Sequence, residues 1–286
     1  MASVIDRPAE PLPSSRVRVL APGLLALGAG LVALALLGPL VGGPVDYRIS
    51  ATLRNQTIGL DAVGLMLVAP LCVAAAVWTV RGRVLGPVLA LSLGSYTTYM
   101  MLQYVLGPDY AHLPGNNERV FALASALSAG GWMLALLAWN AVGPLPAPGG
   151  RARWVARVGL PAAALLAFSR YLPALADWMS SAPEDPGYLA GPGFAWAIAL
   201  LDLGVWAPLT VAACVGLARG AAWAPKAIYA VAGWFGLVGP AVSAMAVTMY
   251  VNDDPTSSLG DVVFLGALGM VFAALAIVLF RPLRRA

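Results

Sequence analysis

The chain has 286 residues, of which 60% are hydrophobic and only 10% are charged. A mean hydropathy of +0.81 leaves too little polar surface for a water-soluble globular protein. The net charge of +4 comes from basic residues spread over several separate segments, which argues against the single basic patch of a nucleic-acid-binding protein. We therefore expect a membrane protein whose first partner is the lipid bilayer.

Eight apolar segments are each long enough to cross a bilayer, since a hydrocarbon core of roughly 30 Å needs about 20 helical residues. In chain order they are Leu20–Val41, Leu60–Val80, Val84–Leu106, Val120–Val142, Val155–Ala176, Phe194–Ala218, Lys226–Tyr250 and Asp261–Phe280. The sequence thus predicts an all-α membrane protein with eight transmembrane helices. Residues 1–19 are predicted to form a disordered cytoplasmic tail, and residues 282–286 a second, short tail.

Basic residues flank these segments mainly on one side, and this sets the predicted orientation because Lys and Arg stay on the cytoplasmic side. With the N-terminus inside, thirteen of the seventeen basic residues are cytoplasmic: Arg7, Arg16, Arg18, Arg81, Arg83, Arg151, Arg153, Arg157, Arg219, Lys226, Arg281, Arg284 and Arg285. Acidic residues concentrate at the opposite, outer ends. We predict a multi-pass protein of the plasma membrane with both termini in the cytoplasm.

A piece of the second segment recurs in the sixth. Ala69–Gly82 reads APLCVAAAVWTVRG and Ala207–Gly220 reads APLTVAACVGLARG, with identical residues at nine of fourteen positions. Because four segments separate the copies, both halves of the chain keep the same orientation, a repeat class found in transporters. An inert bundle that arose by duplication is the alternative interpretation.

The repeat divides the chain into two parallel four-helix halves. We predict the first half at residues 20–143, a cytoplasmic Pro/Gly-rich linker at 144–154 and the second half at 155–281. Pro70 and Pro208 lie inside the repeated pieces, where each removes a backbone hydrogen bond and favours a kinked helix.

Two ionisable residues lie deep within predicted segments, Arg170 in the fifth and Asp202 in the sixth. Ionisable groups are costly in hydrocarbon and usually face a bundle interior or a wet cavity. Counting from the inner boundaries puts both residues toward the outer side, at depths compatible with contact. A buried pair that only holds two helices together is the alternative to a substrate or proton site.

The third segment carries a polar stripe. Ser92, Tyr96, Tyr99 and Gln103 recur at helical spacing, and Tyr104 flanks them. Hydroxyl and amide groups in hydrocarbon need partners, so we expect this face to point into the bundle. An interfacial aromatic belt is the alternative for Tyr104 and Tyr99.

The outer loops carry little that indicates a metal or a cofactor. His112 is the single histidine, and with Asp109 and Glu118 it lacks the close spacing of a metal-ligand cluster. The acidic run at residues 251–261 superficially resembles the Mg²⁺ diphosphate sites of membrane prenyltransferases, but its spacing differs and no partner motif exists. We predict no metal site and no cofactor.

Two short runs resemble a widespread group of uncharacterised bacterial multi-pass membrane proteins. They are GSYTTYMMLQYVLG at Gly94–Gly107, before a polar loop, and ALLDLGVWAPL at Ala199–Leu209, before an Arg-Gly turn. The resemblance covers most of segments two to eight and implies an eight-helix bundle, with no known activity, substrate or cofactor. The loop Pro108–Arg119 is longer and more charged than the resemblance implies.

The polar residues of the segments gather toward the outer leaflet, which favours a pocket there. The predicted ligand-binding residues are Asp61, Tyr96, Tyr99, Gln103, Arg170 and Asp202. We expect binding or transport of a small or lipid-like molecule. One alternative is a membrane enzyme of isomerase or cyclase type with Asp202 or Asp61 as acid or base. Another is a structural or partner-binding subunit, with no protein partner identified by the sequence.

Overall fold

A computed structural model describes residues 14–284, and all regular structure in that range is helical. The α-helices are α1 (Ser14–Leu37), α2 (Ala51–Val63), α3 (Ala69–Val80), α4 (Leu85–Leu106), α5 (Phe121–Ala141), α6 (Gly150–Trp154), α7 (Leu160–Ser169), α8 (Tyr171–Trp178), α9 (Pro186–Ala190), α10 (Pro192–Leu201), α11 (Ala207–Ala218), α12 (Ala224–Val251) and α13 (Leu259–Phe280). The predicted all-α class is confirmed.

Seven helical segments of the described chain are long and apolar enough to cross a membrane. They are Val19–Leu37, Ala51–Val80, Asn117–Ala141, Gly150–Trp178, Pro192–Ala218, Ala224–Val251 and Leu259–Arg284. No more than 50% of the most apolar window of any segment is buried inside the protein. Large apolar side chains such as Leu165, Leu172 and Met270 therefore point outward, which suits lipid and not water. The chain is a multi-pass integral membrane protein.

The third predicted span, α4, is not among these seven segments, so the prediction of eight apolar spans is only partly supported. Sixteen of its 22 residues are buried, and it packs against α3, α5, α10 and α12. Its Ser, Thr, Tyr and Gln side chains lower its hydropathy, and the surrounding helices shield them from lipid. The most polar long helix thus lies at the centre of the bundle.

Several helices extend beyond the predicted spans. The second segment begins at Ala51 instead of Leu60. Ser50 caps this helix, because its hydroxyl accepts a hydrogen bond from the Leu53 amide. The fifth begins at Gly150, inside the predicted linker. Residues 1–13 of the predicted N-terminal tail lie outside the described residues, and α1 begins at Ser14 within the remainder. Apolar length marks the part of a helix in lipid, while capping residues determine where the helix starts.

Three π-helical turns interrupt segments of the described chain, and each immediately precedes an X-Pro pair. They span Gly64–Val68, Val155–Gly159 and Asp202–Trp206. Proline has no N–H and its ring crowds the carbonyl four residues earlier, so widening one turn to the i→i+5 pattern accommodates both effects. The kinks predicted at Pro70 and Pro208 therefore take the form of π-helical turns.

The two repeated pieces have the same local structure. Each runs from a π-helical turn through a proline-containing α-helix to an Arg-Gly turn, where Gly82 has φ +71° and Gly220 has φ +72°. A left-handed residue at this place ends a helix tightly, and glycine adopts it without steric cost. The Arg-Gly turns lie at the opposite end of the bundle from the connections that follow α4, α8 and α12.

Candidate functional site

A cleft of about 390 Å³ opens in the half of the bundle away from the Arg-Gly turns. Its walls come from α2, α4, α8, α10, α12 and α13, and they are mainly apolar, with side chains such as Met100, Phe194 and Met245. Gln103 and Arg170 add polar groups to this wall, as do the carboxylates of Asp185 and Asp261, which accept hydrogen bonds from nearby backbone amides. The cleft therefore has the composition of a small-molecule site, an apolar body with a few polar contacts.

Arg170 reaches the cleft because the fifth segment breaks at this residue, between α7 and α8. Pro173 lacks the N–H that would bond to the Ser169 carbonyl, and its ring crowds that carbonyl. The Arg170 side chain is 58% exposed, and its Nη2 lies 3.6 Å from Asp202 Oδ2. Nη2 also donates a hydrogen bond to the Tyr171 hydroxyl at 3.0 Å. The guanidinium is thus only partly engaged by the protein.

Asp202 lies behind the wall of the cleft and is 6% exposed. The Tyr171 hydroxyl donates to its Oδ2 at 2.6 Å, and the Tyr99 hydroxyl donates to its Oδ1 at 2.8 Å. Both tyrosines line the cleft, whereas Asp202 does not. A molecule in the cleft would contact the arginine and the two tyrosines, while the carboxylate holds them in place.

A layer of aromatic rings packs against this network. Trp206, in the π-helical turn that begins at Asp202, stacks on Trp234 with ring centroids 3.9 Å apart. The Tyr99 ring meets Trp234 edge-on at 5.2 Å, and Phe235 stacks on Phe272 at 4.5 Å. These rings are buried, and Tyr99 connects them to the wall of the cleft.

The predicted ligand residues fall into two groups. Gln103 lies one helical turn beyond Tyr99 on α4, is 4% exposed and lines the cleft with Arg170. Asp61 and Tyr96 line a separate cavity of about 20 Å³. The structure therefore brings Arg170, Asp202, Tyr99 and Gln103 together, and places Asp61 and Tyr96 elsewhere.

Two hydroxyl groups outside the predicted ligand-binding residues complete both groups. Tyr171 bridges Arg170 and Asp202, and Tyr104 donates to Asp61 Oδ1 at 2.6 Å. The aromatic-belt alternative does not describe Tyr104 or Tyr99, since each donates its hydroxyl hydrogen bond to an aspartate inside the bundle. Tyr171 had a detectable signal, because it adjoins an intramembrane arginine near a helix-breaking proline.

The connections α1–α2, α4–α5 and α12–α13 form their own polar contacts. Arg48 Nε pairs with Glu118 at 2.8 Å, and His112 lies 3.0 Å from Asp109 on the surface. Within residues 14–284, no group of three or more His, Cys, Asp and Glu side chains is placed to hold a metal. In the acidic run after α12, Asp254 is buried and accepts hydrogen bonds from Thr52, Asn55 and Thr256, whereas Asp253 is exposed.

Comparison with known proteins does not add a family. The chain matches no protein-family model, none of the curated proteins and no solved structure. The resemblance to uncharacterised bacterial membrane proteins thus identifies no family for it. The chain is a multi-pass helical membrane protein, and its function has to be argued from the geometry of the cleft.

Proposed function

We propose that this integral membrane protein binds an amphipathic molecule whose head is an anion, such as a carboxylate or a phosphate. The observation that carries this proposal is Arg170, the one Lys or Arg side chain among the described residues of the cleft wall. An arginine in an apolar membrane site is costly unless it has a partner. Asp202, at 3.6 Å, supplies part of the negative charge that stabilises the guanidinium, and a ligand anion would supply the rest.

The chemistry of the guanidinium favours a planar or tetrahedral oxyanion. Arginine has five N–H donors in a fixed fork, and Tyr171 accepts from one of its nitrogens. The remaining donors suit bidentate contact with a carboxylate or phosphate. The Gln103 amide, on the wall of the same cleft, offers a further donor or acceptor to the head. The polar end of the ligand would therefore lie against α4 and α8.

The rest of the cleft suits a hydrocarbon chain. A volume of about 390 Å³ lies within the usual range for ligand sites. Met100, Met245 and Met249 line it, and the flexible, polarizable methionine side chain adapts to chains of different shape. These features support a lipid-like ligand over a small hydrophilic solute.

The route into the cleft is proposed to run sideways from the membrane. The fifth segment packs on α13 mainly through residues 150–169, before the break at Arg170. Beyond the break, α8 and α13 both line the cleft. A molecule in the surrounding leaflet could therefore enter between them without crossing the bilayer core.

We further propose the topology that the charges predicted. Placing the Arg-rich ends in the cytoplasm follows the bias of basic residues toward that side of a plasma membrane. The eight long helices would then all cross the membrane, α4 in the shelter of the others, in two parallel halves. The cleft would open to the outer leaflet. We favour binding over transport because the stacked rings of Trp206 and Trp234 pack against Tyr99, which lines the cleft.

A membrane enzyme remains the second candidate, and one contact favours it. Tyr171 lines the cleft and donates to Asp202 at 2.6 Å, so a proton of a bound molecule could reach the carboxylate through the tyrosine hydroxyl. Such an enzyme would convert its ligand in the wild type and only bind it in the Asp202→Asn variant. A binding protein would leave the ligand unchanged in both.

Native mass spectrometry tests the binding proposal. The protein is released from nanodiscs formed directly from the expressing membranes, as wild type, Arg170→Ala and Arg157→Ala. Arg157 is the matched control, because it is an exposed arginine near the other end of the same segment. We expect a discrete bound mass in the wild type and control, and at least about a tenfold lower occupancy in Arg170→Ala.

Two outcomes would contradict the proposal. One is a bound mass of equal occupancy in Arg170→Ala, which would mean that the guanidinium does not hold the ligand. The other is no bound mass in any variant together with a stoichiometric protein in the wild-type spectrum. That second result would make the structural-subunit alternative the better interpretation.

A further inference from the structure

The second aspartate, Asp61, lies in a different environment from Asp202. It belongs to α2, three residues before the π-helical turn at Gly64, and is 4% exposed. Tyr104 donates a hydrogen bond to its Oδ1, but its Oδ2 is buried without a partner among the described residues. An unsatisfied buried carboxylate oxygen is rare in proteins and calls for an explanation.

A second unsatisfied oxygen lies nearby. Tyr47, in the connection between α1 and α2, is 4% exposed, and its hydroxyl also lacks a partner among the described residues. Because neither oxygen has a partner, the two do not bond to each other.

Both of these oxygens lie next to Gly38, in the connection that follows α1. A Cβ atom added to Gly38 would lie 2.9 Å from Asp61 Oδ2, 3.2 Å from the Tyr47 hydroxyl and 3.3 Å from the Leu34 carbonyl oxygen. The three oxygens therefore lie close together beside Gly38, where the Leu34 carbonyl accepts the Gly38 amide hydrogen at 3.0 Å and only the Asp61 and Tyr47 oxygens lack a partner. The Leu34 carbonyl belongs to the last turn of α1, the negative end of the helix dipole, so all three groups favour a positive charge.

The protein supplies no positive charge here. The described ion pairs include Asp202 with Arg170 but none with Asp61. Tyrosine hydroxyls surround the carboxylate instead, from Tyr47, Tyr96 and Tyr104. A buried carboxylate without a counter-ion is strongly unfavourable, so either a proton or an ion from solution must neutralise it.

The structure leaves room for a small occupant. The cavity of about 20 Å³ beside Asp61 is bordered by Gly64, Tyr96 and Tyr104. A cavity of roughly 10–15 Å³ is enough for one water molecule. Tyr47 does not line this cavity, so a water held here would complete, from the Asp61 side, the oxygen shell of a small ion bound between the Asp61 and Tyr47 oxygens. A larger organic cation would not fit.

We propose that Asp61, Tyr47 and the Leu34 carbonyl form a binding site for a single monovalent metal cation of the size of Na⁺. Oxygen ligands alone suit a hard cation, and the end of a membrane helix is a known place for Na⁺. The single carboxylate balances one positive charge. A Ca²⁺ site normally needs six to eight oxygen ligands with several carboxylates, and among the described residues no group of three or more His, Cys, Asp and Glu side chains is placed to hold a metal.

Occupancy of this site would join three parts of the first half. The Leu34 carbonyl comes from α1, the Tyr47 hydroxyl from the α1–α2 connection, and the Asp61 carboxylate from α2. Tyr104 also ties Asp61 to α4. The cation would therefore stabilise the native bundle by a free energy that rises with the logarithm of its concentration above the dissociation constant.

The response of the melting temperature to Na⁺ tests this inference. Wild-type protein in nanodiscs is heated in NaCl, KCl or choline chloride at one constant ionic strength, with intrinsic tryptophan fluorescence as readout. We expect NaCl to raise the melting temperature by about 3 °C over choline chloride once Na⁺ exceeds its dissociation constant about tenfold. Equilibrium dialysis with radioactive Na⁺ should show stoichiometric binding.

Three variants test whether the Na⁺-dependent rise in melting temperature comes from this site. Asp61→Asn should abolish the Na⁺-dependent rise and the bound Na⁺. Tyr47→Phe removes one ligand without a change in charge, so it should fold and show a reduced rise even if Asp61→Asn does not fold. Asp109→Asn, at an exposed aspartate of an outer loop, is the control and should respond as the wild type does.

The inference is overturned if wild type melts at the same temperature in NaCl and choline chloride, which is the result expected if water or a proton occupies the site. It is overturned equally if Asp61→Asn and Tyr47→Phe both keep the full rise. A larger rise in MgCl₂ or CaCl₂ than in NaCl would exclude a monovalent site. None of these outcomes bears on Arg170, so the cleft proposal is judged separately.

Discussion

Asp61 and Asp202 occupy similar places in the two halves of the chain. Each is buried, each lies at or just before a π-helical turn, and each accepts a hydrogen bond from a tyrosine of α4. They differ in their counter-charge, because Asp202 has Arg170 at 3.6 Å while Asp61 has no cation among the described residues.

This difference shows how the counter-charge determines what a buried carboxylate can be used for. When the protein supplies the cation, as at Asp202, the carboxylate positions an arginine whose remaining donors can bind an anion. When the protein supplies none, as at Asp61, the same carboxylate can take a cation from solution. The adjoining spaces agree with this contrast, about 390 Å³ in one case and about 20 Å³ in the other.

The largest effect is expected from a change that displaces α4 and so disturbs both aspartates at once. A methyl group at Gly131 of α5 would lie 2.6 Å from the Gly94 carbonyl oxygen of α4, which is backbone and cannot rotate away. Gly131→Ala should therefore destabilise the protein by about 3 kcal/mol and lower ligand occupancy in the cleft. Thermal unfolding in nanodiscs and native mass spectrometry measure the two effects.

The neighbouring glycine provides the control for this change. A Cβ at Gly130 meets nothing within 4 Å, so Gly130→Ala should leave the fold unchanged or stabilise it by up to about 1 kcal/mol through helix propensity. Equal stability of the two variants would mean that the α4–α5 contact tolerates separation. The two aspartates would then not depend on the position of α4.

A double-mutant cycle separates the two aspartates directly. We expect Arg170→Gln and Asp202→Asn to be coupled by about 1–2 kcal/mol, less than a fully buried pair because the Arg170 side chain is 58% exposed. Asp61→Asn removes no ion pair, so in choline chloride it should lie within about 0.5 kcal/mol of wild type or be more stable. Unfolding of all variants in nanodiscs gives the energies.

The proposed difference between the two aspartates is contradicted if the effects of the Arg170 and Asp202 changes on unfolding free energy are additive within about 0.3 kcal/mol. The two side chains would then not stabilise each other. The difference is also contradicted if Asp61→Asn in choline chloride costs as much as Asp202→Asn. That result would mean that Asp61 is stabilised by a partner within the protein. Both readings come from the same set of unfolding curves.

The fold was predictable where apolar length alone decides it. Seven of the eight predicted spans correspond to helices that are apolar and long enough to cross a membrane. The exception, α4, falls short because of the Ser, Thr, Tyr and Gln residues that made its sequence notable. Their shelter comes from α3, α5, α10 and α12, and no local pattern in the sequence specifies those contacts.

The site was predictable only in part. Depth along the segments put Arg170 and Asp202 at compatible levels, and the structure has them 3.6 Å apart. Depth does not say which way a side chain points around a helix, so Tyr96 and Tyr99, three residues apart on α4, line different cavities. Tyr47 lies in a connection without periodicity, and its burial depends on how that connection folds back on α1.

The smallest expected effect concerns Asp254, which shows how a buried carboxylate without a cation is normally satisfied. It accepts hydrogen bonds from Thr52, Asn55 and both the amide and the hydroxyl of Thr256, at 2.7–3.2 Å, whereas Asp61 accepts only one. Burial raises the pKa of Asp254, but these hydrogen bonds outweigh burial and leave it below its ordinary value of 3.8.

A lowered pKa means that the ionised form of Asp254 stabilises the fold above its unfolded pKa, and that this contribution is lost as pH falls through the lower, folded value. Asp254→Asn should therefore melt about 2 °C below wild type at pH 6, and the difference should shrink below pH 3.8. Melting curves of both proteins between pH 6 and pH 3 measure it. A constant difference over that range would show that hydrogen bonds do not stabilise the charge of Asp254. Asp254 could then no longer serve as the comparison for Asp61, which lacks such donors and for which we propose a bound cation.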